Sequence, residues 1–395
     1  MKEGWEYIAF KDVYPIKMGK TPPRGDKSSW DEKKETHNKW VSIADISNNE
    51  GKTIEDTKEY ISDSAAEKIN KVSKGSLLMS FKLSIGRMAF AGDDLYTNEA
   101  IIAIPKNDKY ILRFIYFYLL SYDWLSLTEG NEKVKGATLN KSSIGKIQLP
   151  ILSLSEQQSI VDYLDSAFAK IDAMKANTEK ALNEAKALFQ ASLKEMLEPK
   201  EGWVTSTLKD ECYKITDGTH QTPKYYPSGY IFLSSRNVTS RKIDWEDVKF
   251  IDESQHQLMY KRVAPQVGDI LLAKNGTTGV AAMVDRDVVF DIYVSLALLR
   301  SRGNVTPEYL LAFVNSPIAK EQFDKRLIGM GVPNLHLGEI NQVVITYPQD
   351  KVEQIRMTQR IEELDCLIIR LQENYDKISQ ECDALKQAIL RQVFE

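Results

Sequence analysis

From Ile160 onward, apolar side chains return at Leu164, Ala167, Ile171 and Met174, then at Ala181, Ala185 and Leu188. A second run reads Met357, Ile361, Leu364, Ile368, Leu371, Tyr375, Ile378, Cys382, Leu385 and Ile389. Steps that alternate four and three keep one stripe of a helix turned toward a partner helix. No Gly or Pro interrupts either run before Pro199. Ser155 with Gln158 three residues on has the form of a capping box, and Pro199 and Gly202 close the first helix. Each helix has about 40 residues, hence roughly 60 Å at about 1.5 Å per residue. The economical way to cover both stripes is to pack the two helices antiparallel. That arrangement would set the rest of the chain at the two ends, related by a pseudo-two-fold.

A second apolar set lies off the main stripe: Phe168, Leu182, Phe189, Leu193 and Leu197 in the first helix, and Leu367, Leu390 and Phe394 in the second. Two readings stay open. These side chains cover the chain's own globular parts, or they dock helices of a partner subunit.

The rest of the chain is a duplicated unit. Gly4-Trp5 and Lys11-Asp12 recur as Gly202-Trp203 and Lys209-Asp210. Lys74 to Met79 matches Val267 to Leu272, and Gly86 then matches Gly279. Phe114 to Ser121 matches Tyr309 to Ser316. Lys180, Glu184, Ala187, Leu188, Gln190, Ala191, Leu193 and Glu198 fall on Lys377, Glu381, Ala384, Leu385, Gln387, Ala388, Leu390 and Glu395. Matches that keep one order with little drift in offset mark an internal repeat. The expected domains are therefore 1–150 (globular), 151–202 (helical), 203–350 (globular) and 351–395 (helical).

Each globular segment opens on a Trp-containing strand. Strand-like runs follow at Trp40 to Ile46, Leu77 to Ser80 and Ala100 to Ile104, and at Ile231 to Leu233, Ile270 to Ala273 and Ser295 to Arg300. A helix near 111–125 or 307–323 precedes a closing strand at Gly145 to Leu149 or Gln342 to Tyr347. The predicted class is α/β in the mixed α+β sense. The polar loops between these strands are where a rigid scaffold exposes reading groups. In the first segment they carry Thr21, Arg24, Lys82, Ser84 and Arg87. In the second they carry Thr219, His220, Thr222, Lys224, Arg236, Asn237, Lys274, Asn275, Thr277 and Thr278. Arg and Lys suit guanine edges, Asn and Gln suit adenine, and Ser and Thr suit either, while the same types bind phosphate. Each residue is a DNA contact on one reading and solvated loop polarity on the other. The glycine turn Lys274 to Gly279 is the sharpest, although it lacks the ending of a phosphate loop.

Composition narrows the class. Hydrophobic residues make up 43% of the 395 and charged residues 27%, as in a soluble globular protein. Three cysteines fit a reducing, cytoplasmic setting rather than a disulfide framework. No signal peptide is legible at the start. The most apolar stretch, Tyr110 to Leu125, contains Arg113 and Asp123 and is too short to span a bilayer. A net charge of −4 argues against a protein that grips DNA through phosphates alone. The first globular segment is mildly positive and both helical segments are negative. The four histidines are scattered, with no metal-binding spacing. Asp31 to Glu35 reads as a charged loop, not nuclease chemistry. Thr21-Pro22-Pro23-Arg24 lacks the residues of a methyltransferase motif, and no glycine-rich cofactor fingerprint follows a strand. The expectation is a recognition module with no catalytic site, metal or cofactor of its own.

The layout resembles the specificity subunits of type I restriction–modification systems. The likeness rests on the paired Gly-Trp openings, Thr21-Pro22 and Thr222-Pro223, and the closing strands that run into the helix starts. Those starts read Leu149-Pro150 with Glu156-Gln157-Gln158-Ser159-Ile160, and Tyr347-Pro348 with Glu353-Gln354-Ile355. The resemblance implies two target-recognition domains, each reading one half of a bipartite site in double-stranded DNA. It implies helices that hold the halves apart and dock two methyltransferase subunits. Those subunits, not this chain, would bind S-adenosylmethionine and methylate adenine at N6 with the base flipped out. Motor-nuclease (restriction) subunits join such complexes. The second helix start is more charged than the first, which puts symmetric docking in question. The alternative is a scaffold, or silent specificity allele, that binds partners without reading DNA.

Overall fold

The computed structural model describes residues 2–124, 135–327 and 334–395, with side chains left aside at 135–138. The chain divides into two compact units, Met1–Asn177 with Lys377–Glu395, and Thr178–Asp376. Each unit thus takes one globular segment and a stretch of each long helix.

The two globular segments share one plan. In each, a three-stranded sheet pairs its central strand antiparallel on one side and parallel on the other. The central strands are Lys39–Val41, between Glu59–Tyr60 and Tyr96–Thr97, and Tyr230–Leu233, between Lys249–Ile251 and Phe290–Ile292. In each, a four-stranded sheet centres on an apolar strand with antiparallel neighbours. Leu77–Ser80 lies between Met88–Ala91 and Ile101–Ile104, and Ile270–Ala273 between Ala281–Met283 and Leu296–Ser301. Both central strands are buried at every residue. With both faces covered there is no alternation to keep, so they read as continuous apolar runs. The fourth strand differs: Thr53–Ile54 flanks one sheet, and Cys212–Asp217 the opposite edge of the other. A two-strand ribbon closes each segment, Tyr7–Ala9 with Gln148–Pro150 and Val204–Thr207 with Val344–Tyr347. The fold is the mixed helix-and-strand type read from the sequence.

Several elements differ from the pattern-based reading. The run Trp40 to Ile46 is a strand only to Val41, because Ser42 and Asp45 form a capping box that starts the helix Ile43–Asn48. The expected helix at 307–323 is two, Pro307–Val314 and Pro317–Asp324, divided where Ser316 caps and Pro317 takes the first turn. The helix of the first segment spans Leu112–Ser121, and Leu125 lies outside the described residues. Trp5 and Trp203 stand before the opening strands rather than in them.

The two long helices run Leu154–Leu197 and Lys351–Phe394, 44 residues each. Ser153 caps the first, exchanging bonds with Glu156, two residues earlier than the Ser155–Gln158 pair expected. Within each unit the helix stretches are antiparallel. In the first, Lys175 reaches Asp383 at 3.1 Å and Lys386 pairs with Asp172. In the second, Lys186 donates to Gln372 at 2.6 Å.

Most of the off-stripe apolar set covers the chain's own cores. Leu390 and Phe394 join the first core, where Phe394 packs edge-on against Phe114, Tyr118 and Trp5. Phe168 lies against Phe117 with ring centroids 5.5 Å apart. Phe189, Leu193 and Leu197 close the second core beside Ile361. Leu182 is buried as well, and Leu367 is half exposed. Of the expected docking residues, Phe168, Leu182, Phe189, Leu193, Leu390 and Phe394 are therefore withdrawn into the fold, and Leu367 alone stays exposed. The stripe itself is not fully covered. Met174 and Leu385 in the first unit, and Leu188 and Leu371 in the second, are 47, 45, 69 and 43% exposed.

One buried glutamine fixes each globular segment to its helix. Gln157 Nε2 donates to the carbonyls of Lys109 and Leu152 (2.9 and 3.0 Å), and its Oε1 accepts from the Ile111 amide at 2.9 Å. Gln354 repeats this on Asn304, Pro348 and Thr306 at 3.0, 2.8 and 2.8 Å. Both side chains are fully buried. Each satisfies three backbone groups that would otherwise lie orphaned where a loop meets the first turn of the helix.

Candidate nucleic-acid interface

Two loops in each unit carry most of the sequence candidates, and the same backbone device builds each pair. The turn after the buried central strand is closed by Gly86 N–H on Ser80 O in one unit and by Gly279 N–H on Ala273 O in the other, both at 2.9 Å. Inside the turn the chain takes a left-handed residue, Leu83 (φ 64°) or Gly276 (φ 77°). Leucine holds this conformation at a steric cost that glycine escapes. The second loop begins at Gly19 or Gly218. A Cβ there would lie about 2 Å from the carbonyl oxygen of Thr97 or Ile292, so only glycine fits. The next residue donates its amide to that carbonyl, Lys20 to Thr97 at 2.8 Å and Thr219 to Ile292 at 3.1 Å.

On this common frame the side chains differ. In the first unit, Thr21 donates its hydroxyl to Glu99, and this bond holds the Glu99 carboxyl below its ordinary pKa. Arg24 grips Glu59 with both guanidinium nitrogens and lies over Trp30 and Trp40, 4.2 and 4.9 Å from their ring centroids. Arg87 pairs with Glu50 at 2.7 Å. Lys82 lies 5.6 Å from the Phe81 ring, and the Ser84 carbonyl accepts from the Ser80 hydroxyl.

In the second unit, Thr219 Oγ1 accepts from the Gln221 amide. Thr222 is exposed, and Lys224 is tied through its backbone to the Gln255 amide group. Arg236 is exposed and paired with Asp247 at 3.0 Å. Thr277 is exposed, and Thr278 turns its hydroxyl toward the Gly276 carbonyl. Asn275 bridges to Asn334, and its Oδ1 is buried without a hydrogen-bond partner.

Two candidates face inward, which corrects their reading as base contacts. Lys274 is 4% exposed, and its Nζ lies 2.7 Å from Asp217, itself 2% exposed. Asn237 is 6% exposed and spends its amide on the Ser234 N–H and the carbonyls of Asp244 and Asp247. It is the counterpart of Asp45 in the first unit's capping box. Both side chains build the loops that others would use to reach a ligand.

Asp217 was not legible as a centre. It also accepts from Arg262 at 2.8 Å, and His220 approaches at 3.3 Å. One buried carboxylate thereby joins both loops to the last turn of the helix Glu253–Val263. The Asp-Gly-Thr turn signalled a loop, but not that a lysine 57 residues away would fold onto it. Among the described residues, no group of three or more His, Cys, Asp or Glu could hold a metal ion, and no helix is long and apolar enough to cross a membrane.

The family model of the type I restriction modification DNA specificity domain matches residues 2–184. This part of the chain is therefore similar to type I DNA specificity domains. Relatives named as type I restriction enzyme specificity subunits match over a longer stretch. The chain is 25% identical to the type I restriction enzyme EcoKI specificity subunit of Escherichia coli K12, over 66% of its own length and 60% of that protein's. It is 22% identical to the Escherichia coli EcoBI specificity subunit, over 75 and 68%. In three dimensions it is similar to a chain from a solved type I R-M system, with a TM-score of 0.74 at 17% identity over 100% of this chain and 98% of that one. The HsdS subunit of Thermoanaerobacter tengcongensis follows, with a TM-score of 0.55 at 15% identity over 100 and 97%. These likenesses share the fold. Within the matched residues 2–184, the loops starting at Gly19 and Ser80 are the ones described above, and their arginines Arg24 and Arg87 are paired with Glu59 and Glu50.

Proposed function

We propose that this chain is the DNA-sequence-recognition subunit of a type I restriction–modification complex. It reads a bipartite site in double-stranded DNA, one globular segment per half-site. The observation that carries this reading is one backbone frame used twice with different loop chemistry. Lys82, Leu83 and Ser84 occupy the turn in one unit, and Asn275, Gly276 and Thr277 in the other. A fixed scaffold with changed loop side chains is what two unlike half-sites require. Arg24, Arg87, Thr222, Lys224, Arg236, Asn275 and Thr277 are the contacts proposed for DNA, with Thr21, Lys82, Ser84, Thr219, His220 and Thr278 beside them.

The domains we assign are 1–150 and 203–350 for reading, with 151–202 and 351–395 as helical spacers. Two adenine-N6 methyltransferase subunits dock on the helices and bring S-adenosylmethionine, and restriction subunits add to that core. This chain has no catalytic site in the scheme, and its setting is the cytoplasm. The docking faces are the partly exposed apolar helix positions. Met174 and Leu385 lie between the residues of the Lys175–Asp383 and Lys386–Asp172 pairs, and Leu188 and Leu371 flank the Lys186–Gln372 bond. An exposed apolar pair recurring in both halves fits two copies of one partner. The test is co-purification with the methyltransferase subunit, followed by mapping of methylated adenines. A bipartite motif that depends on this chain supports the reading, and its absence refutes it.

One observation favours the scaffold alternative. The cations of Arg24, Arg87, Arg236 and Lys274 are each held by a carboxylate of this chain. A scaffold binds the methyltransferase subunit with no preference among DNA sequences. Competition between specific and random duplexes, at stated salt, separates the two.

A further inference from the structure

The strand registers make Phe232 the counterpart of Trp40. Trp40 faces Glu59 on its antiparallel side and Tyr96 on its parallel side, and Phe232 faces Lys249 and Asp291. The capping boxes Ser42–Asp45 and Ser234–Asn237 follow at the same distance from each. Lys249 therefore stands where the first unit has Glu59.

In the first unit the place above Trp40 is filled from within. The Arg24 guanidinium lies over Trp40 and Trp30, and Glu59 holds both of its outer nitrogens. A planar cation, two indoles and a carboxylate fill that place with no net charge, while the guanidinium side chain stays about half exposed. The second unit has no such filling. Around Phe232 a cleft of about 300 Å³ opens, lined among others by Tyr225, Ser235, Lys249, Tyr293 and Ser295. Its volume is at the small end of the range for ligand sites, about 300–1,000 Å³. Tyr225 and Tyr293 each pack at a tilt on Phe232, with centroids 6.1 Å away. Lys249 caps the Tyr225 ring at 4.1 Å, and among the described residues no carboxylate pairs with its ammonium. Asp247, the acid on the cleft wall, is paired with Arg236 at 3.0 Å. Ser295 Oγ accepts from the Ser235 amide at 3.0 Å, so its own proton is free to be donated into the cleft.

We propose that this cleft binds a nucleotide. Its base packs against Tyr225 and Tyr293, which cover the buried Phe232, and lies within reach of the Ser295 hydroxyl. Its phosphate is held by Lys249. Exchanging Glu59 for Lys249 reverses the preferred charge of the guest. The aromatic walls keep the preference for a flat ring, and a ring carrying an anion satisfies both. The nucleotide is either free in solution or an unpaired residue of a DNA strand.

The test uses the purified full chain with dAMP as probe, followed by saturation-transfer NMR and titration. Wild type is expected to take up one equivalent, and deoxyadenosine to bind about tenfold more weakly for want of the phosphate. Lys249→Glu, a change at an exposed side chain, is expected to weaken dAMP by about tenfold or more. The double variant Arg24→Ala/Glu59→Lys empties and recharges the first unit's site and is expected to add a second equivalent. A duplex with one unpaired adenine distinguishes the sources. Tighter binding than to the fully paired duplex, lost in Lys249→Glu, assigns the cleft to DNA. Equal binding with dAMP uptake intact assigns it to free nucleotide. No saturable dAMP binding up to about 10 mM, or binding unchanged by Lys249→Glu, overturns the proposal. The proposal does not need the chain to read a motif, so failure of the DNA-recognition function leaves dAMP uptake unaffected.

Discussion

Replacing Gln354 with methionine keeps the volume and flexibility of the side chain but removes all three bonds that tie the second unit's loop to its helix. The Thr306 amide loses its acceptor, and the carbonyls of Asn304 and Pro348 lose a donor. A buried group left unsatisfied costs about 1–3 kcal/mol, and carbonyls with a second lone pair lie at the low end. The expected loss is therefore about 3–5 kcal/mol, a large share of a typical domain's stability. Gln157→Met removes the matched set at Ile111, Lys109 and Leu152, and the same loss is expected in the first unit. Urea unfolding followed by tryptophan fluorescence reads both, because Trp30 and Trp40 report on the first unit and Trp245 on the second. Gln158→Met is the control, since Gln158 is exposed and bonds only Asp162 on its own helix. The midpoint should fall for one unit at a time with the slope unchanged. Midpoints for both glutamines no lower than for Gln158→Met would refute the assignment of these residues as anchors.

Asp217→Ala strands the Lys274 ammonium in the protein interior, and unfolding of the second unit should become easier by about 3–5 kcal/mol. Lys274→Met should cost less, because Asp217 keeps Arg262; thermal unfolding compares the two. Burial pushes the Cys212 thiol up to about 12, and Cys382 is also buried while Cys366 is exposed. A thiol reagent at pH 8 should therefore label Cys366 rapidly and the other two only on unfolding, as mass spectrometry of digested protein would show. Leu188→Glu with Leu371→Glu should leave the fold intact by circular dichroism and reduce co-purification of the methyltransferase subunit at least as far as one of two copies.

The repeat was legible because both halves need the same special positions. Gly86 and Gly279 both sit at positive φ, and Gly19 and Gly218 both lie against a carbonyl. The two long helices were legible from their period, but the use of each face was not. A stripe in sequence marks which residues share a side of a helix, and the partner on that side is a tertiary matter. Leu188, on the stripe, is exposed, while Phe394, off it, fills the first core. The polar loops showed the converse failure. Lys274 and Asn237 have the composition of reading residues, yet each is consumed by partners that sequence separation hid, Asp217 in one case and a local cap in the other. The anchoring role of Gln157 and Gln354 was likewise hidden, because a glutamine beside another glutamine or a glutamate looks like helix surface until the loop carbonyls arrive.

The central claim is that each globular segment reads its own half of one site. Mapping methylated adenines in cells that carry the methyltransferase subunit, with this chain or with its Asn275→Ala/Thr277→Ala variant, tests it most directly. The account predicts a two-part motif whose second half alone relaxes in the variant, with the spacer unchanged. An unaltered motif, or equal loss at both halves, would contradict it.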